Sequence, residues 1–228
     1  MGFTLDKIVP WGRSYDEYIS MFGLSETDLE SRILGCGDGP AGFNASLTKL
    51  GGRIVSIDPL YAFDVKQISG RISETYETVM MQLRRNRSDF VWGVIPSVDQ
   101  LGQLRMSAME TFLSDFVDGK QSGRYLTGEL PTLPFEHGEF DLALSSHLLF
   151  LYSDHLSAQF HLQSLLEMLR VAREVRVFPL VTLDNAPSPH LDSVSEQLVN
   201  LGFGVEVRRV LYEFQRGGNE MLVINKPW

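Results

Sequence analysis

The 228-residue chain is predicted to fold as an α/β domain: a doubly wound, seven-stranded, mostly parallel sheet with an antiparallel last strand, plus a helical insertion. Three observations predict it. Ser31 to Asp58 reads as strand, glycine-rich turn, helix, strand, acid, which is the first βαβ unit of an open parallel sheet. Strand-like and helix-like runs then keep alternating. The rhythm breaks only at the end, where "VEVRRVLYEF" and "EMLVIN" are joined by "QRGGN" with no helix between them.

The elements follow in order. Ser14 and Glu17 form a capping-box pattern, and Tyr15, Tyr18, Ile19 and Phe22 share one face of the helix it starts. Ser31 to Leu34 is a short strand feeding "GCGDG" (Gly35 to Gly39). Asn44 to Leu50 continues as a helix closed by Gly51-Gly52, and "RIVSID" (Arg53 to Asp58) is the second strand, stopped by Pro59. A helix is expected over roughly Val65 to Arg87. A minimal doubly wound domain would now enter its third strand. Instead, residues 88–122 carry Trp92, Pro96 and a second helical stripe of Leu101, Leu104, Ala108, Phe112 and Phe116. This is the insertion, read either as an extra packing helix or as a lid over the cleft. Further strands are predicted at Arg124 to Glu129, Glu139 to Ser146 and Glu174 to Val181, with helices marked by Leu162–Leu169 and Leu191–Leu201. Glu174 and Arg176 alternate on one strand face as an expected ion pair.

Composition narrows the function classes. Hydrophobic residues are 43%, enough for a sizeable core in one domain spanning 1–228. A net charge of -9 and the absence of a long basic run argue against a nucleic-acid partner; "RRNR" (Arg84 to Arg87) reads as a solvated helix end. The single cysteine, Cys36, excludes an intrachain disulfide and fits a reducing, cytoplasmic location. No run is long and apolar enough for a bilayer, and "MGFTLDKIVP" has neither a signal-peptide core nor the Ser or Thr wanted for myristoylation. No metal-ligand spacing is present; His155 and His161 lack partners for one.

The glycine loop admits two parsings. Gly37, Gly39 and Gly42 fit G-x-G-x-x-G, a dinucleotide fingerprint. Gly35, Gly37 and Gly39 fit G-x-G-x-G, a nucleoside loop. The rest of the chain resembles one family across nearly its whole length, the class I S-adenosylmethionine (SAM)-dependent methyltransferases. The ordered set that carries the resemblance is "GCGDG", "SID" ending on Asp58, "TGELPTLPF" (Thr127 to Phe135), "FDLALSSHLLFLY" (Phe140 to Tyr152) and the reversed last strand. The resemblance implies SAM as cofactor and methyl transfer to a small-molecule acceptor. Gly35, Cys36 and Gly37 would border its methionine and ribose portion, Asp58 and Pro59 its ribose, Glu129 and Leu130 its adenine, and Ser145 the strand end beside it. The alternatives are an NAD(P)-dependent oxidoreductase, whose ribose Asp58 would suit equally, and a non-catalytic member of the fold that binds a ligand or partner.

The acceptor is expected at the edge offering Ser145, Ser146, His147 and Tyr152. His147 is either a general base or a structural hydrogen bonder at a strand end. Arg13 and Tyr15 of the N-terminal helical segment (residues 1–30) either close over the cleft, with Arg13 pairing a carboxylate, or belong to a capped packing helix. The family often has an acid where this chain has Ile33. Asp38, Tyr18 and Arg13 are the candidates to replace it. Oligomeric state and acceptor are not legible.

Overall fold

The structure is a computed structural model and describes residues 10–226; the opening nine residues of the N-terminal segment lie outside them. The elements are α1 (Tyr15–Phe22), α2 (Glu26–Glu30), β1 (Arg32–Cys36), α3 (Phe43–Lys49), β2 (Arg53–Ile57), α4 (Val65–Arg85), α5 (Val98–Gln121), β3 (Tyr125–Leu126), β4 (Phe140–Ser146), α6 (Ala158–Val171), β5 (Ala172–Phe178), α7 (Leu191–Asn200), β6 (Gly204–Arg209) and β7 (Glu220–Asn225). The seven strands form one sheet in the order β3-β2-β1-β4-β5-β7-β6. β7 alone runs against its neighbours β5 and β6; the other pairings are parallel. Sequence order reverses between β1 and β4, so a crevice opens at the carboxyl ends of those strands.

Two apolar layers sandwich the sheet. Leu165, Met168 and Leu169 of α6 and Val194 and Leu198 of α7 pack on Ala143, Val175, Val177, Leu222 and Ile224. On the other face Tyr18, Phe22, Phe43 and Leu47 of α1 and α3 cover Ile33, Ile54, Leu142 and Leu144. The capping box at the start of α1 forms as read: Ser14 Oγ accepts from Glu17 N, and Glu17 accepts from Ser14 N. The Glu174–Arg176 pair also forms at 2.5 Å, with Asp28 as a second partner of the guanidinium.

Three features differ from the sequence expectation. The third strand shrinks from Arg124–Glu129 to Tyr125–Leu126, and a Cβ on Gly128 would fall 2.6 Å from Ile57 Cδ1, so the chain leaves the sheet there pressed against β2. The sixth strand ends at Arg209 rather than continuing to Phe214. Tyr212 is drawn inward by a 2.8 Å hydrogen bond to Glu17 Oε1, and Phe214 stacks on Phe90 at 4.9 Å, so residues 210–219 form a loop that ties down the molecule's edge. The insertion meets the cleft through Phe90, and among the described residues none of its helix α5 lines it. α5 packs on α3, α4 and β3, and Phe112 and Phe116 build an aromatic cluster with Tyr61 and Tyr125. Phe112 and Phe116 of its stripe belong to that cluster, Leu101 and Leu104 pack against Val79, Met80 and Leu83 of α4, and α4 lines the cleft.

Candidate active site

The crevice is a cavity of about 1260 Å³. Its floor is the set of turns leaving β1, β2, β3 and β4, and its walls are the Pro10–Arg13 strap, α4 and the loop after β6. The strap is pinned closely: a Cβ on Gly12 would overlap the Pro40 carbonyl, Trp11 meets Tyr76 of α4 at 5.9 Å, and Gly42 N donates to Arg13 O at 3.0 Å.

The turn after β1 is organised around Asp38. Its Oδ1 accepts from Tyr18 Oη at 2.8 Å and its Oδ2 from Ser56 Oγ at 2.6 Å. A Cβ on Gly35 would overlap that carboxylate, so Gly35 makes room for Asp38 and does not border the cavity. Asp38, one of the candidates to replace the acid absent at Ile33, thus ties the turn to α1 and β2. Burial pushes its carboxyl up to about 6, with the Asp58 charge adding to the rise and the two hydroxyl donors opposing it. Gly37, at φ 72°, and Gly39, at φ 54°, do face the cavity. Gly37 leaves room for Leu148, which a Cβ would approach to 2.5 Å, and Gly39 faces open space.

Asp58 caps the turn after β2. Its Oδ2 accepts from Gly39 N and its Oδ1 from Leu60 N, both at 2.8 Å, so one carboxylate ties two turns together at the cavity wall. Burial and then the Glu129 charge raise its pKa, while the two N–H donors pull it down. Pro59, Glu129 and Leu130 line the same end beside Ile57 and Pro131.

At the other end β4 delivers Ser146 and His147. His147 sits in the left-handed region at φ 55°, as does Phe150 at 66°, backbone that costs about 1–3 kcal/mol per residue and is held by its surroundings. His147 N donates to Phe178 O at 2.7 Å, and His161 Nε2 accepts from Phe150 N at 2.9 Å. The Nδ1 of His147 meets Ser146 Oγ at 2.8 Å. Burial, then the charges of Arg13 and Arg105, hold its imidazole well below the usual range, so it is neutral at pH 7.

Of the residues singled out from sequence, Gly37, Asp58, Pro59, Glu129, Leu130, His147, Arg13 and Tyr152 are brought together around this cavity. Cys36 and Ser145 are not. Both are fully buried, Cys36 in the core under α6, with its thiol pushed well up by burial. Ser146, one residue on, takes the place expected of Ser145. Tyr15 does not reach the cavity either; it stacks on Phe43 at 5.6 Å. Sequence reasoning missed Gln67, Glu74 and Leu83 of α4 and the distant Leu183 and Phe214, which nothing local marks as wall residues. Among the described residues no group of acids, histidines or cysteines is placed to hold a metal, and no helix is long and apolar enough to cross a membrane.

The sheet order, the single reversed strand and the cleft at its switch point make the doubly wound α/β architecture that the sequence predicts. The chain belongs to the same family as uncharacterized protein MJ0045 of Methanocaldococcus jannaschii, with 30% identity over 224 residues covering 98% of each chain. No family model matches it. Solved structures similar to it include the PH0226 protein of Pyrococcus horikoshii (TM-score 0.49, 13% identity, covering 93% of this chain and 91% of that one). Another is magnesium protoporphyrin IX methyltransferase of Synechocystis with bound SAM (0.48, 11%, 93% and 78%). A third is a SAM-dependent methyltransferase from Aquifex aeolicus (0.43, 16%, 92% and 86%).

Proposed function

We propose that the protein transfers a methyl group from SAM to a small-molecule acceptor. The observation that carries this reading is the fate of the α3 N-terminus. A dinucleotide needs that helix end for its pyrophosphate. Here Gly42 N is taken by Arg13 O, a Cβ on Gly42 would lie 2.9 Å from Ala108 O of α5, and Ala41 and Phe43 are buried. The third glycine of the dinucleotide parsing serves helix packing against α5, outside the cavity. What stays open is the Gly37–Gly39 turn, Asp58 and Glu129, which suits a cofactor with ribose hydroxyls and no phosphate.

The residues present fit SAM. Asp58 keeps a free lone pair on each oxygen for ribose hydroxyls, and Ile57, Leu130 and Pro131 offer apolar walls for an adenine beside Glu129. Asp38, Asp58 and Glu129 make this end acidic, which favours a cationic sulfonium. SAM supplies an electrophilic methyl group; alignment of the acceptor supplies much of the remaining rate. His147, neutral and with Nε2 carrying no hydrogen bond among the described residues, takes the acceptor's proton in this reading. The cavity exceeds the common 300–1,000 Å³ range of ligand pockets, leaving room for an acceptor beside the cofactor.

Titration calorimetry with S-adenosylhomocysteine and with NAD tests the assignment. Binding of the first alone is expected. NAD heat without any heat from S-adenosylhomocysteine would replace methyl transfer by hydride transfer.

A further inference from the structure

Arg13 lies in the cavity wall with no ion pair among the described residues. Its Nη1 donates to Trp11 O at 2.6 Å, and its Nε is buried without a hydrogen-bond partner. The neighbouring carboxylate, Glu17, is already engaged on both oxygens. Its Oε2 accepts from Ser14 N, Ser14 Oγ and Arg105 Nη1, and its Oε1 from Tyr212 Oη. Two guanidinium groups thus share one carboxylate in a buried cluster, leaving one positive charge without a counter-ion. The other groups that sense Arg13 are Tyr18, Tyr152, Tyr212 and His147, none of them anionic at neutral pH.

A half-buried cation without a partner is costly, and a planar guanidinium is shaped for a carboxylate. The cost is visible in Arg13 itself, which burial and then Arg105 push down to about 10. The cavity is also polarised. Asp38, Asp58 and Glu129 repel an anion from the cofactor end, while Arg13 attracts one beside His147 and Tyr152. The lining also includes the apolar side chains of Leu148, Leu151, Leu156 and Phe160.

We infer that the acceptor is a small apolar carboxylic acid, held through its carboxylate by Arg13 so that its reacting atom lies by His147. This rests on the methyl-transfer reading for the word acceptor, though not for the anion site itself. The cofactor's own carboxylate is the rival occupant, and the experiment separates the two.

Wild-type protein loaded with S-adenosylhomocysteine would be titrated with 4-hydroxybenzoate, salicylate and indole-3-acetate and with the primary amide of each, observing ligand NMR signals. At least one acid should bind tenfold or more tighter than its amide, and Arg13→Met should abolish the difference. Arg13→Lys, which keeps the charge without the planar fork, should keep a reduced difference and serves if the Met variant does not fold. In parallel, S-adenosylhomocysteine and methylthioadenosine, which lacks the amino-acid portion, would be titrated into each variant. Both should bind the variants as they bind wild type. Loss of S-adenosylhomocysteine affinity with methylthioadenosine unaffected would give Arg13 to the cofactor and overturn the inference. So would no binding by any acid, equal binding of acid and amide, or a preference that survives undiminished in the variants. If wild type binds no S-adenosylhomocysteine, the methyl-transfer reading fails, while an acid preference lost with Arg13 still establishes the anion site.

Discussion

Asp58→Asn is a sharper test of the cofactor site than alanine, because the side chain keeps its shape. In the wild type each carboxylate oxygen accepts one backbone N–H, from Gly39 and from Leu60, at 2.8 Å. An amide has one oxygen. Whichever way the substituted side chain turns, its NH₂ group faces an N–H donor, so one of the two bonds is lost and replaced by a donor–donor contact. A hydrogen bond to a charged group is worth about 1.5–3 kcal/mol. The amide also carries no charge, so one charge-assisted bond that the carboxylate would accept from a ribose hydroxyl is lost as well, which should weaken S-adenosylhomocysteine by about 10–100-fold, since each 1.4 kcal/mol is tenfold. Asp58→Ala should weaken it at least as much. Calorimetry measures both, with methylthioadenosine as a second ligand carrying the same ribose. Both ligands should suffer alike. Affinities within twofold of wild type in both variants would refute the role of Asp58.

The remaining predictions concern the groups around it. Glu17→Gln should cost about 3–5 kcal/mol in urea denaturation, because it strands Arg105, whose side chain is 0% exposed; Glu17→Leu with Arg105→Met should recover much of the loss. Asp38 holds its proton more tightly folded, near 6, than at its ordinary 3.8. Wild type should therefore be favoured over Asp38→Asn below about pH 4 and lose roughly 3 kcal/mol of that advantage as pH rises through 6, read from denaturation midpoints across that window. His147→Ala should slow methyl transfer by about 10²–10⁴-fold with S-adenosylhomocysteine affinity unchanged. Because the folded imidazole titrates well below 6.5, the wild-type rate should show no inflection between pH 6 and 8; an inflection near 6.5 would count against it as the base.

What the sequence by itself determined is the order of the elements and the residues at turn positions. Short-range chemistry marks these: glycines that permit φ above zero, Pro59 after a strand, an acid at a strand's end, a capping box. They fix Gly37, Asp58, Glu129 and His147 because each closely follows a strand of a parallel sheet, where the crevice must lie. Ser145 against Ser146 was a matter of parity. β4 is buried on both faces and reads as a continuous apolar run, so no alternation says which serine faces the crevice. Only tertiary structure decided that Cys36 belongs to the core, that Gly35 exists for Asp38, and that α4 rather than α5 walls the cleft. These depend on contacts between residues far apart in the chain. The same holds for the engagement of Glu17, which needs Ser14, Arg105 and Tyr212 at once. Local pattern carries no record of such meetings, because the hydrophobic stripe of α5 would look the same whether it faced a ligand or, as it does, the aromatic core beneath α4.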